Sequence, residues 1–275
     1  MRKWIGIGLI LIAIGVAGLF SPWSHWRSDW VSRADVNEQY RVSADGVKRL
    51  SIELDSEDVR VVEGTQSDIV IRVEGKVSAK NSERKKLDFG VADGTLRVKA
   101  PDWGMTVGFN FYSLKVTIEV PSAAYESIKA ETDSGNIELR GLAFGEMKLD
   151  SDSGDITASQ MKSKSIHMNS DSGDLVLEDT EGDIIARSDS GDFAWKAPQL
   201  LWSADVKSDS GDVTFNVEKK PDHATVKFEA DSGDGVVKWN GDTADNGDSI
   251  KEVYGNGAPL ITVVTDSGDF VMSNE

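Results

Sequence analysis

Cysteine is absent from the 275 residues. This excludes a disulfide framework, a thiolate metal site and a lipid-modified N-terminal cysteine, so a position outside the cytoplasm would rest on packing alone. Histidine is nearly absent: His25, His167 and His223 stand in no paired arrangement, and no Ser-His-Asp set can be drawn from them. Positive charge is short, with 30 Lys and Arg against 47 Asp and Glu, a net charge of -17. A surface this acidic argues against nucleic acid as a partner and against lying flat on an anionic bilayer.

Long apolar runs are also missing, except one. Met1-Arg2-Lys3 is followed by Trp4 to Phe20, 17 uncharged and mainly apolar residues, just enough to span a bilayer. A cleaved signal peptide is the rival reading, with Gly15-Val16-Ala17 as its small-residue site. Trp23, Trp26 and Trp30 follow at once, as interfacial anchors do, and favour a retained span. Residues 1–3 are then cytoplasmic, 4–20 a transmembrane helix or signal anchor, and the remainder extracytoplasmic. Residues 21–46 are polar and read as a juxtamembrane linker.

What the chain has in abundance is one phrase. Asp-Ser-Gly-Asp occurs at Asp152, Asp171, Asp189, Asp209, Asp231 and Asp266, with an Asn variant at Asp133-Ser134-Gly135-Asn136. The spacings, read from these numbers, are 19, 19, 18, 20, 22 and 35, a period near 20 that marks a repeat architecture. Six and four places before each central Ser stand apolar residues such as Ile128 and Ala130, Met147 and Leu149, or Ile166 and Met168. Two places before stand Thr132, Ser151, Ser170, Ser188, Ser208, Ala230 and Thr265. A second alternating run follows the Gly, as in Ile156 and Ala158, Leu175 and Leu177, or Phe193 and Trp195. Period two is strand geometry with one face buried.

The phrase is thus predicted to be a corner between two short strands, with Gly supplying a positive φ and Asp and Ser capping backbone groups. A two-strand unit of about 20 residues cannot bury its own apolar face, so units must stack. The fold expected over 122–275 is an all-β solenoid, or β-helix, with one coil per repeat. Residues 47–121 contain weaker alternation, from Leu50-Ser51-Ile52 through a degenerate corner at Asp55 to Asp58, and are expected to form irregular opening coils or a β cap. Two insertions interrupt the rhythm: an aromatic loop at 101–112, and Asn240 to Gly257, rich in Gly, Asp and Asn. They, and an open last coil near Phe270, are the expected contact points of an adhesive protein.

Candidate chemistry is thin. Asp-Ser-Gly matches the aspartic-protease triplet, but seven copies without its Ser or Thr following the Gly are turn chemistry. Stacking would align carboxylates in two columns, Asp152, Asp171, Asp189, Asp209 and Asp231, and Asp155, Asp174, Asp192, Asp212 and Asp234. Such columns suggest Ca²⁺ as a bridging ion, against the plainer reading that solvent or turn N–H groups satisfy them. Trp195 and Trp239 are expected in the core in preference to a sugar-stacking role. No catalytic residue, cofactor or firm metal ligand is assigned.

The membrane span joined to repeated Ser-Asp-Ser-Gly-Asp corners resembles the bacterial "putative adhesin" β-strand-repeat family, a domain of unknown function that includes LiaG-like membrane-anchored proteins of Gram-positive bacteria. The resemblance covers residues 47–275. It implies a membrane-anchored interaction or scaffold protein linked to cell-envelope stress, not an enzyme, with an envelope protein or a wall polymer as its partner. Adhesion to a wall polymer or another cell is the alternative. A polysaccharide-active β-helix enzyme is a weaker one, because acid-base pairs need unlike carboxylate environments and columns offer like ones.

Overall fold

A computed structural model describes residues 33–78, 87–100 and 112–274. The expected membrane span, the Lys-rich stretch 80–86 and most of the aromatic loop at 101–112 lie outside these residues. Among the described residues every regular element is a β-strand, and no helix is long and apolar enough to cross a membrane.

Seven repeats each fold as a pair of strands joined at the Asp-Ser-Gly corner: β8 (Ala124–Thr132) and β9 (Ile137–Arg140), β10 (Ala143–Ser151) and β11 (Ile156–Ser159), β12 (Lys162–Ser170) and β13 (Leu175–Glu178), β14 (Glu181–Ser188) and β15 (Phe193–Ala197), β16 (Ala204–Ser208) and β17 (Val213–Val217), β18 (Ala224–Ala230) and β19 (Gly235–Trp239), and β22 (Leu260–Thr265) and β23 (Phe270–Ser273). The first strand of each pair joins one sheet of 11 strands and the second joins another of 12. Neighbouring coils are parallel and in register, so Ile156 faces Ile137 on one side and Leu175 on the other. The result is a solenoid-like stack, all-β and largely parallel.

The two apolar faces meet between the sheets. All the positions six and four places before the central Ser are buried, and so are Ile137, Leu139, Ile156, Ala158, Leu175, Leu177, Phe193, Trp195, Val213, Phe215, Phe270 and Met272 behind it. Trp195 and Trp239 are core residues, as expected. Toward the C-terminal end, Phe215 packs edge-on against Trp195 and Phe270 at 5.3 and 5.4 Å between centroids.

The coil order is not the chain order. At one end the last coil of the chain, β22–β23, lies between β16–β17 and β18–β19, pairing with both in each sheet. At the other end β2 (Arg49–Leu54) and β3 (Asp58–Gly64), the degenerate first copy, stack directly on β8–β9, and β6 (Thr95–Lys99) and β7 (Tyr112–Pro121) stack outside them. Each sequence-terminal coil is therefore tucked one place inward.

Antiparallel strands close both ends. β4 (Ile69–Ser78) pairs with β7, β1 (Arg33–Val42) with β4, and β5 (Asp88–Ala92) with β6. At the far end β20 (Asp242–Gly247) and β21 (Ser249–Tyr254) run back over β19 and β18. Three expectations are corrected here. Part of the stretch taken as linker is the ten-residue strand β1. Asn240 to Gly257 is built mainly of cap strands. The last coil is not open, since Phe270 is fully buried. Edge strands β1 and β21 carry Glu38 and Glu252 at partly buried, inward-leaning positions, a placement that discourages further strand addition.

Candidate functional site

The corner is the one feature repeated along the molecule, and its backbone hydrogen bonds can be accounted for group by group. At the third corner Asp171, Ser172, Gly173, Asp174 and Leu175 follow the buried Ser170. The Ser172 N–H donates to the Asp152 carbonyl of the preceding coil at 3.0 Å, and the Leu175 N–H to the Asp192 carbonyl of the next at 2.8 Å. The Gly173 N–H turns inward and donates to its own coil's Ser170 Oγ at 2.8 Å. The Asp174 N–H donates to Asp155 Oδ1 of the preceding coil at 3.0 Å.

The inner hydroxyl recurs at Ser151, Ser188 and Ser208, each 2.8 Å from the glycine N–H three residues on, and at Thr132 at 3.0 Å. In the first coil Leu54 and Glu57 replace this Ser and Gly, and the buried Glu57 carboxylate folds back to accept from the Asp55 and Ser56 N–H groups at 3.1 Å. Ser170→Ala leaves a buried N–H without an acceptor and is expected to cost about 1–3 kcal/mol, read by thermal or urea unfolding. Two repeats depart from this pattern: the Thr265 hydroxyl donates to the Gly268 carbonyl at 2.6 Å, and Ala230, with no hydroxyl, lies in the outermost repeat coil, where fewer neighbours depend on it.

Gly is required here for close approach, not for the expected positive φ. None of the repeat glycines lies at positive φ. A Cβ on Gly173 would instead sit 2.1 Å from the Gly154 carbonyl oxygen, and the same overlap of 1.9 to 2.0 Å recurs at Gly135, Gly154, Gly191, Gly211, Gly268 and Gly233. The corners stack backbone on backbone.

The second carboxylate column forms a ladder. Asp58, Asn136, Asp155, Asp174, Asp192, Asp212, Asp269 and Asp234 each accept or donate to the next through Oδ1 and N–H, at 2.8 to 3.0 Å. The order corrects the expected columns: Asp269 stands between Asp212 and Asp234, and Asp266 between Asp209 and Asp231, because the last coil is inserted there. Among the described residues no three His, Cys, Asp or Glu side chains converge to hold a metal ion. The ladder carboxylates are already engaged by amide donors, so the melting temperature is expected to agree within about 1 °C in calcium and in chelator. A rise of several degrees in calcium would restore the bridging ion.

The first column differs. Asp152, Asp171, Asp189 and Asp209, with Ser153, Ser172, Ser190 and Ser210 beside them, are exposed and make no side-chain hydrogen bond or ion pair. Elsewhere carboxylates meet cations across coils: Arg49 lies 2.7 Å from Glu126, and with Lys48 it holds that carboxyl below the usual range. At the near end of the column Asp55, Asp133 and Asp152 join Glu53, Glu131 and Asp150 around a cleft of about 430 Å³.

The model of one family, Toastrack DUF4097, matches residues 47–181 and again 141–273, together nearly all of the described chain. The chain belongs to the Toastrack DUF4097 family. The two matches overlap within the coils β10 to β13, as expected where one coil resembles the next. Among solved structures, this Toastrack chain is similar to a "putative adhesin" from Parabacteroides distasonis, at 12% identity and a TM-score of 0.46 over 87% of this chain and 97% of that one. It is likewise similar to a "putative adhesin" from Bacteroides fragilis, at 13% identity and 0.44 over 89% and 98%. A third, a "putative cell adhesion protein" from Clostridium sporogenes, gives 14% identity and 0.37 over 87% and 99%. No curated protein matches the chain.

Proposed function

We propose that this Toastrack chain is a membrane-anchored, extracytoplasmic interaction module that binds through its corner face and performs no catalysis. One observation carries the reading. In the coils from β10 to β17 the fold uses the inner Ser, the Gly and the second Asp of each corner, yet Asp152, Asp171, Asp189 and Asp209 and the Ser after each make no side-chain hydrogen bond or ion pair among the described residues. Repetition that packing does not demand is explained by a partner that meets successive coils. Strand spacing sets the repeat of this face at about 4.8 Å, and its charge favours cationic or hydroxyl-bearing groups. A wall polymer or an envelope protein has the necessary extent.

In this reading residues 4–20 hold the module in the membrane with its N-terminus in the cytoplasm, and engagement of the corner face serves the cell's response to envelope stress. Adhesion to a neighbouring surface would use the same face. Catalysis is disfavoured because the column offers repeated like groups where acid-base work needs a pair in unlike environments.

The chain with Asp152, Asp171, Asp189 and Asp209 all changed to Asn should fold normally, because these side chains are exposed. It should retain at least about tenfold less wall polymer or membrane-protein partner than the native chain in a pull-down, the loss expected from several weak charge contacts together. Equal retention by both proteins would remove the corner face from consideration.

A further inference from the structure

The three most exposed large apolar side chains among the described residues are Leu201, Val253 and Leu260, at 66, 55 and 44% exposure, and they fall in one place. In the sheet register Thr225 of β18 faces Val253 on one side and Leu260 on the other. The Thr225 N–H donates to the Pro259 carbonyl, and its hydroxyl to the Gly257 carbonyl at 2.7 Å. This is the coil edge remote from the Asp-Ser-Gly corners. A groove of about 430 Å³ opens here, walled by Leu200, Leu201, Pro221 and Pro259, with Lys219 and Lys220 on its rim. Asn256 donates its N–H to His223 Nδ1 at 3.0 Å, which holds the wall formed by 255–259 in place.

The rim sets two lysines and Asp222 together in a chain of net charge -17. Some lysines on the sheet faces meet carboxylates closely, as Lys99 meets Glu53 at 2.6 Å and Lys162 meets Glu181 at 3.2 Å. Lys219 reaches only the outer edge of contact with Asp222, at 3.8 Å, and Lys220 rests over the Tyr254 ring, 5.6 Å from its centroid. Lys219 is thus loosely paired with Asp222, which also lines the groove, and Lys220 meets no carboxylate among the described residues. An apolar floor beside one loosely paired and one unpaired lysine complements a molecule with an apolar body and an anionic head. An extended peptide is disfavoured, because β18 is already paired on both sides and β16 with β14 and β22, leaving no strand edge in the groove.

We propose that this groove binds a single-chain anionic amphiphile, its tail against Leu200, Leu201 and Pro259 and its head group beside Lys219 and Lys220. The site is separate from the corner face and does not depend on its function.

The test is hydrogen exchange on the full chain in phosphatidylcholine nanodiscs, with dodecyl phosphate as probe. At a concentration ten times its Kd, exchange in 199–203, 219–223 and 256–260 should slow by about tenfold, with the corner at 152–155 unchanged. Leu201→Asp, at an exposed position, and the double change Lys219→Glu with Lys220→Glu should each abolish the effect. No slowing would overturn the proposal. Equal slowing by uncharged dodecyl maltoside would overturn the anionic head, and slowing by phosphatidylglycerol discs without the probe would replace the single amphiphile with a bilayer surface.

Discussion

Removing residues 259–275 should leave a chain with no cooperative melting transition at 25 °C and above. In a solenoid stacked in chain order, such a truncation would peel one coil from an end. Here it takes β22–β23 from between two others. Ile261, Val263, Phe270 and Met272 are all fully buried, and at roughly 1.5–3 kcal/mol each their loss costs about 6–12 kcal/mol, comparable with the whole stability of a typical domain. The deletion also opens hydrogen bonds on both flanks, including Val213 N–H to the Asp269 carbonyl at 2.8 Å and Phe270 N–H to the Asp234 carbonyl at 3.0 Å. Circular dichroism against temperature checks this. A cooperative melt within about 5 °C of the full chain would mean that β18–β19 can close directly onto β16–β17, and that the insertion is not needed.

Gly173→Ala comes next in size, with an expected loss of about 3 kcal/mol or more and a fall in melting temperature of about 6–12 °C. The added carbon would lie 2.1 Å from the Gly154 carbonyl oxygen, and that atom belongs to a backbone fixed by the next corner in turn. A flexible side chain could rotate away; a stacked backbone cannot. The matched control is Gly90→Ala in edge strand β5, where an added Cβ meets nothing within 4 Å. There the change should be neutral or stabilising by up to about 1 kcal/mol, since Ala has less backbone entropy to lose. Equal effects at the two positions would show that backbone conformation, not the close approach of coils, makes glycine necessary.

The contrast also shows what was legible in the sequence. Alternation around Ser153 or Ser172 set the two strands, the corner between them and the buried face, because period two and a fixed interval are local signals. The recurrence of a small residue at Ser170 and its equivalents was legible, though its bond to the Gly173 N–H was not. The steric role of Gly173 was hidden because it arises from a neighbour 19 positions away, while the positive-φ explanation is the local one. Strand β1 was passed over although Ala34, Val36, Tyr40 and Val42 alternate; the inward-leaning Glu38 and the surrounding charges broke the apolar count. The order of coils was not legible at all. Asp209 and Asp231 are neighbours in the repeat, and only the lateral pairing of β22 reveals that Asp266 stands between them. The Lys219 and Lys220 groove was missed for the same reason, since its walls come from three separated connections.

The sameness of the middle corners bears on how such a molecule changes length. Between β10 and β17 each coil presents its neighbour with the same serine cap, the same glycine contact and the same aspartate bond, to within a few tenths of an ångström. One more copy of about 19 residues placed there would find every partner ready, with both capped ends untouched. Each such duplication would lengthen the stack by about 4.8 Å. The reach of the protein is thus a countable quantity, set by the number of interchangeable units between two fixed ends, and relatives of different length should differ in whole coils inserted at the centre.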